Sequence, residues 1–335
     1  MTSKPWLDLL GLINGFHVTQ ALHVAAKLRV ADHLKDGSRS VEELATLTNS
    51  HAGSLYRLLR ALAAIGVFHE AETRTFALTP MADCLRANSA TPLGAWAEYA
   101  GSDYVWQTWG NLEHSILTGE NAFQYVHGKG IWEYRTERPE QGAVFDRAMT
   151  ELSRGSAEAV IAAYDFSSFG RVVDVGGGRG LMLSAILRAH TRMRGTLFDL
   201  PGVVAGAKTV LSEQGVIDRC DVVGGSFFEA VPVGGDAYVM RVVIHDWEDE
   251  EAIAILKSCR RAMAETAKLI LIERIVAPPN EMPATKFSDL NMLVLPGGRE
   301  RTREEFGTLL SKSGFELTQI APAGNINVIE ARPHA

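Results

Sequence analysis

Two sets of residues in this chain are of types and spacings that do chemistry. The first is Arg171 to Gly180, RVVDVGGGRG, an apolar run that ends in an acid and continues into glycines at 176, 177, 178 and 180. Val172, Val173 and Val175 read as a short buried strand, and the glycines let the chain turn sharply and bring its backbone against a ligand. A nucleotide-like cofactor suits such a loop. The dinucleotide fingerprint asks for glycines at positions one, three and six, and counting from Gly176 puts Leu181 in the sixth place. What fits is an acid followed by alternating glycines, Asp174-x-Gly176-x-Gly178-x-Gly180. The second set is Asp199, His245 and Glu273, each of which closes an apolar run.

The elements around these residues alternate. Leu181 to Ala189 reads as a helix, and Gly195 to Phe198, Arg219 to Val223, Ala237 to Ile244 and Leu269 to Ile272 read as strands. The alternation predicts a doubly wound, Rossmann-like α/β domain, in which ligands collect at the carboxyl ends of the strands. The acids and the histidine lie at those ends. Asp199, one strand beyond the glycine loop, can accept from ribose hydroxyls or serve as a turn residue in FDLP, and the two readings stand level. Gly225-Ser-Phe-Phe228 can place an adenine between a backbone turn and a ring. His245 is equally well a catalytic group or a turn residue ahead of a helix from Glu248 to Met263.

The N-terminal part is helical. Leu7 to Val30 carries apolar residues at helical spacing with few charges, so a helix there needs cover, as from a second copy of the chain. Ser40-Val-Glu-Glu43 has the form of a capping box and starts a helix ending near Thr48. Leu55, Leu58, Leu59, Leu62 and Ile65 stripe the next helix, and Val67-Phe68 with Phe76 to Leu78 read as a small hairpin. Helix, turn, helix and hairpin form a winged-helix pattern. With 33 basic against 40 acidic residues, a formal charge of -7 and no basic block, DNA reading is disfavoured against a dimerisation module. From 93 to 169 the chain stays helical and becomes aromatic, as a pocket wall for a flat ligand requires. The expected organisation is therefore 1–92 for dimerisation and 93–335 for catalysis, with 93–169 lining the substrate pocket. Three isolated cysteines argue against a disulfide framework or a zinc cluster. The lack of a leader or an apolar run long enough for a span predicts a cytoplasmic protein with no membrane partner.

DVGGGRG, LFDLPGVV, GGSFFE, RVVIHDWEDE, LIERIV and PGGRERT, in that order behind a winged-helix segment, resemble the small-molecule O-methyltransferases that use S-adenosylmethionine. This family includes plant caffeate and flavonoid enzymes, hydroxyindole O-methyltransferase and bacterial polyketide-tailoring enzymes, and the resemblance covers nearly the whole chain. It implies an intertwined homodimer that does not bind nucleic acid. It also implies Gly176 and Gly178 against the methionine end and ribose, Asp199 on the ribose, Phe227 and Trp247 flanking the adenine, Arg241 near the cofactor and Ser153 near its carboxylate. Ser226 stands where the family usually has an acid that accepts from the adenine amino group. A hydroxyl accepts more weakly than a carboxylate, which predicts looser cofactor binding.

The implied reaction moves an already activated methyl, so the protein has to align an acceptor oxygen and remove its proton. His245 is the candidate base, Glu273 and Glu300 match the two acids that flank it in the family, and Asp246 orients the substrate. A phenol near pKa ~10 and an imidazole near ~6.5 are mismatched by about 3.5 units, or ~5 kcal/mol. Phe145, Met149, Met292 and the aromatic segment predict a flat, apolar acceptor. No metal is expected, because Asp289 and Asn291 lack further ligands at metal spacing. N-methylation, a non-methylating tailoring reaction and a ligand-sensing winged-helix regulator are the other readings of the same sequence.

Overall fold

A computed structural model describes residues 4–334, apart from the side chains of 154 and 155. The chain divides into two compact units, one formed by 1–107 with 143–152 and the other by 108–142 with 153–335. The aromatic helical segment is thus shared between them, and one helix, Pro139–Ala163, contributes to both.

In the first unit the expected helix from Leu7 to Val30 is broken into Pro5–Ile13, Gly15–Lys27 and Val30–His33. The interruptions fall at Asn14, where a turn precedes Gly15, and at Arg29, whose φ of 54° is left-handed. Apolar spacing continues across such breaks, which is why periodicity alone reads through them. The capping box is present: Ser40 accepts from the Glu43 amide, and Glu43 accepts from the Ser40 amide, at the start of Val41–Thr48. Helix Ala52–Ala64 packs Leu55, Leu59 and Leu62 inward. The hairpin closes a three-stranded sheet, with β1 (Arg39–Ser40) beside β3 (Thr75–Leu78) and β3 beside β2 (Phe68–Glu72).

The second unit is built on a seven-stranded sheet. Its strands are β4 (Arg171–Val175), β5 (Arg194–Asp199), β6 (Cys220–Gly224), β7 (Ala237–Arg241), β8 (Lys268–Glu273), β9 (Phe315–Ala323) and β10 (Ile326–Pro333), in the order β6-β5-β4-β7-β8-β10-β9. The first five are parallel, and β10 runs antiparallel to both β8 and β9. Alternation along each strand sends side chains to opposite faces. Val172, Leu197, Val239 and Ile270 join a core beneath helix Leu181–Ala189, while Val173, Tyr238, Met240 and Leu271 join a second core with helices Asp249–Ala262 and Arg303–Lys312. Strand order reverses at β4 and β7, so the crevice for a ligand opens at their carboxyl ends.

Candidate active site

The glycine loop leaves β4 with Gly176 at φ 70°, Gly178 at 61° and Gly180 at 82°, all in the left-handed region that glycine alone adopts freely. A Cβ on Gly176 would also press to 2.8 Å from Val243 Cγ2, so loop and histidine turn are in close approach. Asp199, at the end of β5, accepts from the Gly178 amide on Oδ2 at 2.8 Å and from the Leu200 amide on Oδ1 at 2.7 Å. The carboxylate thereby closes the loop from the neighbouring strand. Asp174 lies fully buried beside it; among the described residues neither oxygen has a hydrogen bond of good geometry, and the Leu183 amide pulls on it only weakly. Burial and the charge of Asp199 push its pKa up to about 7.

Arg241 ends β7 and donates from Nη1 to Ser153 Oγ at 2.7 Å and from Nη2 to Ser156 Oγ at 2.8 Å. Two residues expected near the cofactor are therefore in contact, although 88 positions separate them. Ser226 begins a turn, its Oγ accepting from the Phe228 amide at 3.3 Å. Phe227 and Trp247 meet edge to face, with centroids 6.0 Å apart and planes at 88°. Rings so arranged do not face each other across a parallel slot, so a flat base would meet one of them by its face and the other from the side. Trp247 also packs against Phe228 and stacks on Trp132.

The expected strand from Ala237 to Ile244 stops at Arg241, and His245 sits in a single 3-10 turn, Ile244–Asp246. Val242 marks the change with φ of 54°, an outlying conformation for a β-branched residue and one that settled surroundings have to hold. Glu273 is part of those surroundings. Its Oε1 accepts from the Val243 amide at 3.0 Å and the Ile244 amide at 2.9 Å, so it grips the backbone ahead of the histidine and not the ring. The ring contact belongs to Glu300, whose Oε1 lies 3.0 Å from His245 Nδ1. Asp246 Oδ1 lies 3.5 Å from Nε2.

The segment Gly298–Arg301 completes the turn, and most of its role had no signal in the sequence. The Arg299 amide donates to the His245 carbonyl at 2.9 Å. Arg301, 1% exposed, donates to the carbonyls of Ile244 at 3.1 Å and Trp247 at 2.9 Å and pairs with Asp249. A side chain on Gly298 would overlap the His245 carbonyl oxygen and the peptide between Asp246 and Trp247. One strand of loop therefore fixes both the ring and the backbone of the histidine. Helix Pro283–Val294 supports it from behind: Ser288 Oγ donates to Glu300 Oε1 at 2.6 Å, and Asp289 Oδ1 accepts from the Glu300 amide at 2.9 Å. Met292, from the same helix, is buried.

Charge is concentrated here. Burial on its own would lower the His245 pKa, but Asp246, Glu273 and Glu300 outweigh it and hold it up at about 9. Burial pushes Asp246 up to about 6 against the pull of His245 and Arg135, and it raises Glu273 as well. Glu300 goes the other way: against its burial, the hydrogen bonds and charge of His245, with Ser288 and Arg274, keep it below the ordinary range. The pair is an imidazolium on a carboxylate. Ligand atoms of His245, Glu273 and Glu300 lie within 4.8 Å of one another, yet Nδ1 and Glu273 Oε1 are already engaged in the hydrogen bonds above.

Phe145 and Met149 belong to the first unit, where Phe145 packs edge to face on Tyr99 at 5.5 Å and Met149 is half-buried. The cluster around His245 belongs to the second.

Residues 109–316 match the O-methyltransferase domain family, and residues 10–88 match the O-methyltransferase dimerisation domain. The chain is 44% identical to the phenazine O-methyltransferase of Lysobacter antibioticus over 97% of its own length and 95% of that protein. It is 33% identical to the aclacinomycin 10-hydroxylase of Streptomyces purpurascens, over 95% of this chain and 87% of the relative. It superposes with a TM-score of 0.81 and 35% identity on an O-methyltransferase from neocarzinostatin biosynthesis solved with S-adenosylmethionine and 2-hydroxy-5-methyl naphthoic acid, covering 94% of this chain and 96% of that one. Loop, strand-end acids and histidine turn thus stand in a chain matched over nearly its full length, and this protein belongs to the S-adenosylmethionine-dependent O-methyltransferase family.

Proposed function

We propose that this enzyme methylates a hydroxyl of a flat aromatic small molecule, with His245 taking the hydroxyl proton. The single observation that carries the reading is the buried His245–Glu300 pair at 3.0 Å, an imidazole whose basicity is raised to about 9 at the carboxyl end of a parallel strand. A phenol near pKa ~10 then exceeds its base by about one unit, or ~1.4 kcal/mol, in place of the ~5 kcal/mol that an ordinary imidazole implies. The relatives' names support the acceptor class, since phenazine and naphthoic acid are flat aromatics.

The glycine loop and Asp199 fit S-adenosylmethionine. Left-handed glycines, having no side chains, let the loop backbone come close to a ligand, and a carboxylate such as that of Asp199 is of the type that accepts from ribose hydroxyls. Arg241 and Ser153 are assigned to the methionine end, with Gly176 and Gly178 between them and the ribose. Ser226 and Phe227 are assigned to the adenine, with one ring face available for stacking, and Trp247 serves as the wall behind Phe227. Met292 is assigned to the acceptor. When bound, the cofactor supplies an activated methyl and a positive charge, and a positive charge among these carboxylates acts against the imidazolium. His245 then holds the acceptor proton at one ring nitrogen while Glu300 fixes the other, and Asp246 orients the acceptor. We infer further that the enzyme works as a homodimer through the matched dimerisation domain.

His245→Ala should leave cofactor affinity by calorimetry nearly unchanged and lower turnover by ~10²- to 10⁴-fold, the range for a lost general base. The deficit should shrink for acidic nitrophenols or hydroxyquinones, which need alignment but no base. The rising limb of the native pH–rate profile should lie between the ordinary 6.5 and about 9. An equal deficit on acidic and ordinary phenols would assign His245 to positioning alone.

A further inference from the structure

We infer that Ser288 is a positioning residue that sets the proton affinity of His245 by sharing the Glu300 oxygen that holds the ring. The functional side of this inference rests on His245 being the base. Glu300 Oε1 receives His245 Nδ1 at 3.0 Å and Ser288 Oγ at 2.6 Å, with Arg274 Nη1 standing off at 3.6 Å. The Glu300 side chain has no solvent exposure, and Oε2 has no hydrogen-bond partner. All of the carboxylate's direct side-chain stabilisation therefore falls on one atom. Two donors on one atom compete for the same charge: a hydroxyl that draws on it leaves less for the imidazolium.

The helix that carries Ser288 makes this a built arrangement. Its next residue, Asp289, holds the Glu300 amide at 2.9 Å, so the main chain and side chain of Glu300 are fixed by adjacent positions of Pro283–Val294. The other charged groups facing the pair come from several elements. Asp246 comes from the histidine's own turn, Glu273 from the end of β8 and Arg274 just past it, and Asp289 from the supporting helix, itself near Arg299 and Glu305. Arg135, from Ile131–Glu137, acts on Asp246. Those groups set the field at the pair through full charges. Ser288 acts by a hydrogen bond that can be removed without changing any charge.

Removing the hydroxyl should raise the His245 midpoint by about half a unit to one unit, the scale of one hydrogen bond to a charged group shared between two partners. The test is a titration of the full-length protein labelled at histidine Cε1 and followed by NMR, with the His245 resonance identified by its loss in His245→Gln. Ser288→Ala should shift the midpoint upward, Ser288→Thr, which keeps the hydroxyl, should restore it, and Ser288→Cys, a weaker donor, should fall between. An unmoved midpoint in Ser288→Ala, or the same shift in the Ala and Thr variants, would overturn the inference. The acid limb of kcat/KM is read on the same variants. If the NMR midpoint moves and the kinetic limb does not follow, Ser288 controls His245 as stated and it is the base assignment that fails.

Discussion

Asp174 shows what the residue scale adds to a motif. Its carboxyl has no exposure, and its pKa is pushed from 3.8 up to about 7 by burial and by Asp199 against the pull of the Leu183 amide. A raised pKa means that the fold prefers the protonated form, so this group's contribution is fully present below 3.8 and is lost as pH rises through about 7. Asp174→Asn, nearly the same shape without the charge, should therefore raise the melting temperature of the cofactor-free protein at pH 8 by several degrees and by less than half as much at pH 5. The upper bound at pH 8 is roughly 4 kcal/mol, three units of displacement. Equal effects at the two pH values, measured by calorimetry, would show that Asp174 is not the group that titrates. The acid was legible in DVGGGRG, whereas its burial was not, because that depends on the sheet setting Asp174 between Leu197 and Val239 of the neighbouring strands. The same holds for Ser288 and Arg301. Neither lies at a telling spacing from His245, and only the sheet topology brings them to its turn.

At the scale of elements, the histidine turn and the Gly298–Arg301 segment behave as one part made from two stretches of chain. The close approach of Gly298 to the His245 carbonyl makes its lack of a side chain a requirement of the site. Gly298→Ala should push the turn away from Glu300 and lower kcat by ~10²-fold or more, since misplacement of about 1 Å at a reacting group costs on that scale. Cofactor affinity should change far less, because the glycine loop and Asp199 stand on other strands, and stopped-flow binding beside steady-state kinetics separates the two. The parallel strands were readable because each holds a short apolar run. β9 was not: FELTQIAPA buries only its two end residues and holds Pro322, as suits an edge strand, so it carries neither sustained alternation nor a continuous apolar run. The overlong reading of β7 has a comparable cause. Val242, Val243 and Ile244 look like strand, and only the left-handed φ at Val242, held by Glu273, turns the chain out of the sheet.

At the scale of the whole molecule, the first unit carries an apolar helix with nothing buried. Pro5–Ile13 has no buried residue, and Trp6, Leu9, Leu12 and Ile13 are all exposed, as is Phe16 in the following helix. Apolar side chains so close together mark an interaction surface, and the dimerisation match makes a second copy of the chain the expected cover. Sedimentation should show a dimer at micromolar concentration, and Leu9→Glu with Leu12→Glu should convert it to monomer; a native monomer would refute the assembly. Among the described residues no helix is long and apolar enough to cross a membrane. The order of the sheet has a consequence of another kind, in how the protein is made. β10 sits between β8 and β9 but is synthesised after both. While residues 326–333 are still in the ribosome, β8 presents an unpaired edge of Leu269, Ile270, Leu271 and Ile272, and β9 has no place in the sheet. An open apolar edge is a template for wrong pairing, so the nascent sheet stays open to mispairing at β8 until β10 has been made.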